Sequence, residues 1–133
     1  MVKKGYRGYC MHQPFNGLRV PVAIQNVYLR DFLNNRGLSF KPSVNELDIP
    51  GCDVQLMSLV DDLEEIEGIV MTSMFMLPDN KESRQRVYDK IKQSESAIWF
   101  ALDGKCLITD DDIAYIERTI KINKLLSNCP RQV

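Results

Sequence analysis

His12 is the single histidine in this chain of 133 residues. It is therefore the one side chain whose ordinary pKa lies near neutrality. It follows a strand-like run over residues 6–11, so it sits where a strand should end. There it suits general acid–base work or a ligand contact, or it is simply a loop histidine. Gln13 beside it carries an amide that donates and accepts, which suits sugar hydroxyls. Arg19 stands just before a helical segment, where a guanidinium and free N–H groups together suit a phosphate or carboxylate. A surface ion pair is its plainer role. Gln25 and Asn26 fall in the second turn of that helix, and buried amides there need loop backbone or ligand as partners. Glu46 follows the second strand-like run as a base or a hydroxyl acceptor, or as an ordinary loop carboxylate. Ser73 lies late in the most apolar run, flanked by Thr72 and Met74 rather than by the glycines of a nucleophile elbow. His12, Ser73 and Glu46 form the candidate catalytic set. Gln13, Arg19, Gln25 and Asn26 form the candidate substrate-binding set.

Other chemistries find no pattern here. Cys10, Cys52, Cys106 and Cys129 form no CxxC pair, and with one histidine no common zinc site is expected. Neither glycine-rich phosphate loop occurs, so no nucleotide cofactor is expected. The acidic residues 61, 62, 64 and 65, and again 110–112, read as a solvated face and a helix start rather than as metal sites.

The elements that must hold these residues alternate between strands and helices. A strand over 6–11 leads through Asn16-Gly17, a turn signal, to a helix over 22–35 that Pro21 suits and Gly37 ends. The helix is apolar on more than one side and is expected to be covered on both. A strand over 38–44 carries Pro42, which suits a sheet edge. Asp53 is expected to cap a helix reaching about residue 67, with Leu56, Leu59, Val60 and Leu63 as its buried stripe. Residues 69–75 read as a central strand covered on both faces. Asp79 with Glu82 resembles a capping box, opening a helix to residue 94 with Arg84, Val87, Tyr88 and Ile91 on one face. Strands follow over 97–102 and, briefly, 106–108. Thr109 caps a last helix, and residues 128–133 are expected to fray.

This alternation predicts one α/β domain over residues 1–133. It is three-layered, with a mainly parallel four- to five-stranded sheet and helices on both faces. Ligands of such folds bind beyond the carboxyl ends of the strands, which selects residues 11–19, 45–48, 73–78 and 103–106. The 17 Lys and Arg against 18 Asp and Glu give a net charge of -1. Broad capture of nucleic acid or of an anionic membrane is not expected, and only a local basic patch is left open. No apolar run is long enough for membrane insertion. The first residues carry charge without an apolar core, so no export signal is expected and a cytoplasmic protein with reduced cysteines is. Met71, Met74 and Met76 suit core packing, or else a subunit contact. A homo-oligomer is expected, joined through that strand end or the last helix.

Two resemblances add context. The runs Gly5-Tyr6-Arg7-Gly8-Tyr9, Pro14-Phe15-x-Gly17-x-Arg19-Val20-Pro21 and Gln25-Asn26-x-x-Leu29-Arg30-Asp31 resemble a small family of single-domain proteins, the sporadic carbohydrate cluster proteins. Pro50-Gly51-Cys52, Gly68-Ile69-Val70 and Ser73-x-Phe75-x-Leu77-Pro78 are similar too. Proteins of that family occur among bacterial genes for surface-polysaccharide biosynthesis. The resemblance implies a cytoplasmic protein of O-antigen or capsule assembly. It would bind or convert a small sugar or sugar phosphate, or serve as a non-catalytic interaction module for an enzyme of that pathway. More remotely, the order of elements resembles the catalytic domain of serine recombinases, which implies a resolvase-like fold. Tyr9-Cys10-Met11-His12-Gln13 stands where that family has Tyr-Ala-Arg-Val-Ser, so its nucleophile and arginine are replaced. Ser73-Met74-Phe75-Met76-Leu77 stands in place of its Asp-Arg-x-x-Arg. Recombinase chemistry, a further DNA-binding domain and a nucleic-acid partner are accordingly not expected.

Overall fold

A computed structural model describes residues 4–127. Residues 1–3 and 128–133, with Cys129 and the expected frayed tail, lie outside the described residues. The strands are β1 (Tyr6–Cys10), β2 (Phe40–Asn45), β3 (Gly68–Met71), β4 (Ala97–Phe100) and β5 (Lys105–Leu107). The helices are α1 (Val22–Asn34), α2 (Val54–Asp61), α3 (Lys81–Ser94) and α4 (Asp110–Ser127). The sheet order is β2-β1-β3-β4-β5, parallel except for β5, which runs antiparallel to β4. The α/β class and the covered, mainly parallel sheet match the sequence reading, and Pro42 does lie in an edge strand.

β3 is central and every residue in it is buried, which explains its lack of alternation. Ile69 and Met71 face the larger core, with residues of α2, α3 and α4, while Val70 faces the smaller one beneath α1. Gly68 admits no side chain, because a Cβ there would meet the Ala97 carbonyl of β4. Met71, Met74 and Met76 are buried in the core, the first of the two roles expected for them.

Three expectations are corrected. α1 buries one face only, through Gln25, Leu29, Phe32 and Leu33. It is the only described helix over its side of the sheet, so no described residue covers Ile24 and Val27, which are 58% and 67% exposed. The helix expected to reach residue 67 ends at Asp61 and continues as a 3-10 turn over Leu63–Glu65. The central strand stops at Met71 rather than residue 75. Ser73 then opens a 3-10 turn over Met74–Met76, its hydroxyl accepting the Phe75 N–H at 3.2 Å.

Candidate functional site

Three segments meet at the carboxyl ends of β1, β2 and β3, where the fold rule places a ligand. Residues 11–16, 46–53 and 75–79 enclose a cleft of about 190 Å³ there. Each segment is fixed by identifiable contacts.

The first segment is held by Gln25. Its Nε2 donates to the carbonyls of Met11 and Val20 at 2.8 and 2.7 Å, and its Oε1 accepts the Met11 N–H at 3.3 Å. The amide is fully buried and uses loop backbone, the first of the two partner types expected for it. Between these anchors the chain turns at Asn16 and Gly17, both with positive φ, 51° and 77°. Reciprocal Phe15–Leu18 backbone bonds of 2.9 and 3.0 Å close the turn. Two such residues in succession make the tight hairpin that Asn-Gly favours. The turn presents Asn16 at the cleft rim and buries Phe15 beneath it.

The second segment is organised by Glu46, which is 3% exposed. Its carboxylate accepts the Tyr9 hydroxyl at 2.8 Å and the N–H groups of Leu47, Gln55 and Leu56 at 3.0, 3.1 and 3.2 Å. The Cys52 thiol donates to it at 3.5 Å. Burial alone would raise the Glu46 pKa, but the N–H groups and the Tyr9 hydroxyl outweigh it and hold the carboxyl below its ordinary value. Burial, followed by the bond to Glu46, pushes the Tyr9 phenol far up. Glu46 is thus not the exposed loop carboxylate its position suggests. It is an ionised, fully engaged group that caps α2 from outside the helix, and its oxygens have no free direction in which to act as a base.

This has a consequence for Asp53. It occupies the N-cap position of α2 as expected, but its side chain makes no capping bond, because Glu46 supplies the acceptors. The third segment repeats the arrangement. Asn80, not Asp79, caps α3, accepting the N–H groups of Glu82 and Ser83 at 2.8 and 3.3 Å. Asp53 and Asp79 both line the cleft, and neither carboxylate is hydrogen-bonded or ion-paired within the described residues. Helix starts are read from sequence by finding an acceptor, and at both starts a neighbour takes over that task. The sequence reading therefore missed both aspartates as site residues. Asn80 following Asp79 was the available signal.

Of the seven candidate residues, the structure brings two to the cleft, Gln13 and Glu46. Gln13 donates to Asp48 at 2.7 Å, which orients its amide on the rim. His12 and Arg19 are exposed and line no part of the cleft. Ser73 is buried and faces its own turn. His12 and Ser73 follow neighbouring parallel strands, as β1 and β3 pair, but they do not join Glu46 in one site. Asn26 accepts the Cys10 thiol at 3.8 Å on the α1 side of the sheet. Among the described residues the cleft lining contains Glu46, Asp53 and Asp79 with no Lys, Arg or His. Its apolar part includes Met11, Phe15, Phe75 and Leu77. Among the described residues no group of three or more His, Cys, Asp or Glu side chains is arranged to hold a metal ion, and no helix is long and apolar enough to cross a membrane.

No family model matches the chain, and no curated protein matches it in sequence. Among solved structures it is similar to the N-terminal catalytic domain of TP901-1 integrase. The TM-score is 0.63 at 10% identity, over 91% of this chain and 96% of that one. At that identity the likeness concerns the fold alone: the chain has the α/β architecture of a resolvase catalytic domain.

Proposed function

We propose that the cleft binds a small hydroxyl-rich ligand, a sugar unit, in bacterial surface-polysaccharide assembly. The observation that carries this reading is the composition of the lining. Gln13 and Asn16 offer amides and Asp53 and Asp79 offer uncommitted carboxylates, above an apolar base that includes Phe15 and Phe75. Vicinal hydroxyls pair with amides and carboxylates, and the C–H faces of a sugar ring pack on apolar and aromatic surface. The volume, about 190 Å³, lies below the roughly 300–1,000 Å³ of drug-sized sites, which suits a single ring. The resemblance to the sporadic carbohydrate cluster proteins supplies the biological context, a cytoplasmic step of O-antigen or capsule biosynthesis.

The test is titration of monosaccharides and methyl glycosides, followed by amide chemical shifts. Shifts are expected to concentrate on residues 11–16, 46–53 and 75–79. Gln13→Ala and Asp53→Asn should each weaken binding by roughly tenfold, the loss of one good hydrogen bond. If no sugar perturbs these segments, the reading fails.

A second reading is a non-catalytic module that docks on an enzyme of the same pathway. It is favoured by the uncovered apolar face of α1, where Ile24, Val27 and Tyr28 are exposed in neighbouring turns. Under it, Val27→Asp would abolish co-purification with that enzyme and leave sugar binding unchanged.

A further inference from the structure

Beside the cleft lies a groove of about 520 Å³, between the start of α3 and residues 117–124 of α4. Its sign is opposite. Lys81, Arg118, Lys121 and Lys124 line it. Arg84 and Glu117 also line it, but they neutralise each other through two bonds of 2.8 and 2.9 Å. Lys81, Arg118 and Lys121 form no ion pair within the described residues. On a chain whose net charge is -1, this is the local basic patch that its overall composition does not reveal.

Cleft and groove lie side by side and share a wall residue. Asp79 lines both. Asn16 at the cleft rim accepts the side-chain amide of Asn123, on α4, at 2.9 Å. Arg84 donates to the carbonyls of Pro78 and Asp79 at 3.1 and 2.9 Å, so the segment that walls the cleft is pinned to the base of the groove.

We infer that the groove is the anion-binding half of the same site, and that the ligand is a sugar esterified to phosphate or diphosphate, its ring in the cleft and its phosphate in the groove. This rests on the sugar reading above. The cleft alone would repel such an ester, since its titratable lining is carboxylate and thiol. The groove alone gives no reason for hydroxyl recognition. Together they match a ligand with a neutral polar end and a multiply charged end. Several cations from two helices fit the several oxygens of a phosphate or diphosphate better than a lone carboxylate. A nucleic-acid strand is disfavoured, because a continuous phosphate track would run onto Asp79 and the acidic cleft.

The experiment uses the full chain with five kinds of probe: methyl glucoside; inorganic pyrophosphate; the anomeric phosphates of glucose, galactose and mannose; UDP-glucose; and a single-stranded oligonucleotide at low salt. Pyrophosphate is expected to bind, and the exposed substitutions Lys81→Ala with Lys121→Ala to weaken it by about tenfold or more. The same pair should leave methyl glucoside unaffected. At least one sugar ester should bind more tightly than either fragment, and UDP-glucose against the simple phosphates tells a nucleotide-linked sugar from a phosphorylated one. The inference is overturned if pyrophosphate does not bind, if the lysine variants bind it as the wild type does, or if no ester exceeds pyrophosphate. It is also overturned if the oligonucleotide binds through the same lysines more tightly than the esters. Pyrophosphate binding with no response to any glycoside removes the sugar reading instead, and the linked proposal with it.

Discussion

Glu46 lies at the rim of the sheet and Glu117 between α3 and α4, and both carboxyls are held below their ordinary pKa. They are held by different means. Glu117 owes its shift first to Arg84, against the opposing effect of burial and with help from the Tyr88 hydroxyl at 2.6 Å. Among the described residues Glu46 has no cation beside it; backbone N–H groups and one phenol hold it. The distinction decides the charge of each neighbourhood. An ion pair leaves the groove neutral at its base, so the surrounding lysines set its sign. A carboxylate held by dipoles keeps its full negative charge, and the cleft stays acidic.

The largest test removes the dipole-held member. Glu46→Ala strands the Tyr9 hydroxyl and the first N–H groups of α2, and should cost about 3 kcal/mol in urea unfolding. A loss near zero would mean water takes over these bonds and the comparison is empty. Glu117→Ala leaves the Arg84 guanidinium buried without its counter-charge. Because Glu117 is 26% exposed, the expected loss is smaller than for a fully buried pair, about 2 kcal/mol. Should it exceed the loss for Glu46→Ala, the ion pair is the stronger anchor and the ranking reverses. The smallest effect is on pH dependence. Both folded pKa values are depressed, so the stability these groups add is complete above the ordinary carboxylate range and is lost as pH falls through the folded values. The melting temperature of the wild type should therefore fall below about pH 4.3, and Glu46→Gln should make that fall shallower. An unchanged slope would show that folding does not lower the Glu46 pKa.

What the sequence disclosed about these regions followed its local signals. Thr109 caps α4 as its position suggests, with its hydroxyl accepting the Asp112 N–H at 3.3 Å, while Asp112 accepts the N–H groups of Ile108 and Thr109, both at 2.9 Å. Asn16-Gly17 turns, Pro42 sits in an edge strand, and the parallel order follows from strands spaced by helices. The role of Glu46 could not be read in the same way. Its donors lie at Tyr9 and at Gln55 and Leu56, and only the folded β1–β2 pairing brings Tyr9 to it. The groove was hidden for a related reason, since Lys81 and Lys121 are 40 residues apart and meet only when α4 packs on α3. Ile24 and Val27 misled in the other direction, because apolar spacing on a helix does not say whether a second layer exists to cover it.

The two margins of the sheet carry a last implication. At one side β2 holds Pro42, which has no backbone donor, and its pairing with β1 is irregular between Arg7 and Tyr9. At the other, β5 offers only three residues, running against its neighbour. Neither margin is a straight, fully hydrogen-bonding template, so fibrillar growth by strand addition is discouraged at both. Any association of native copies is thereby directed toward helices and loops.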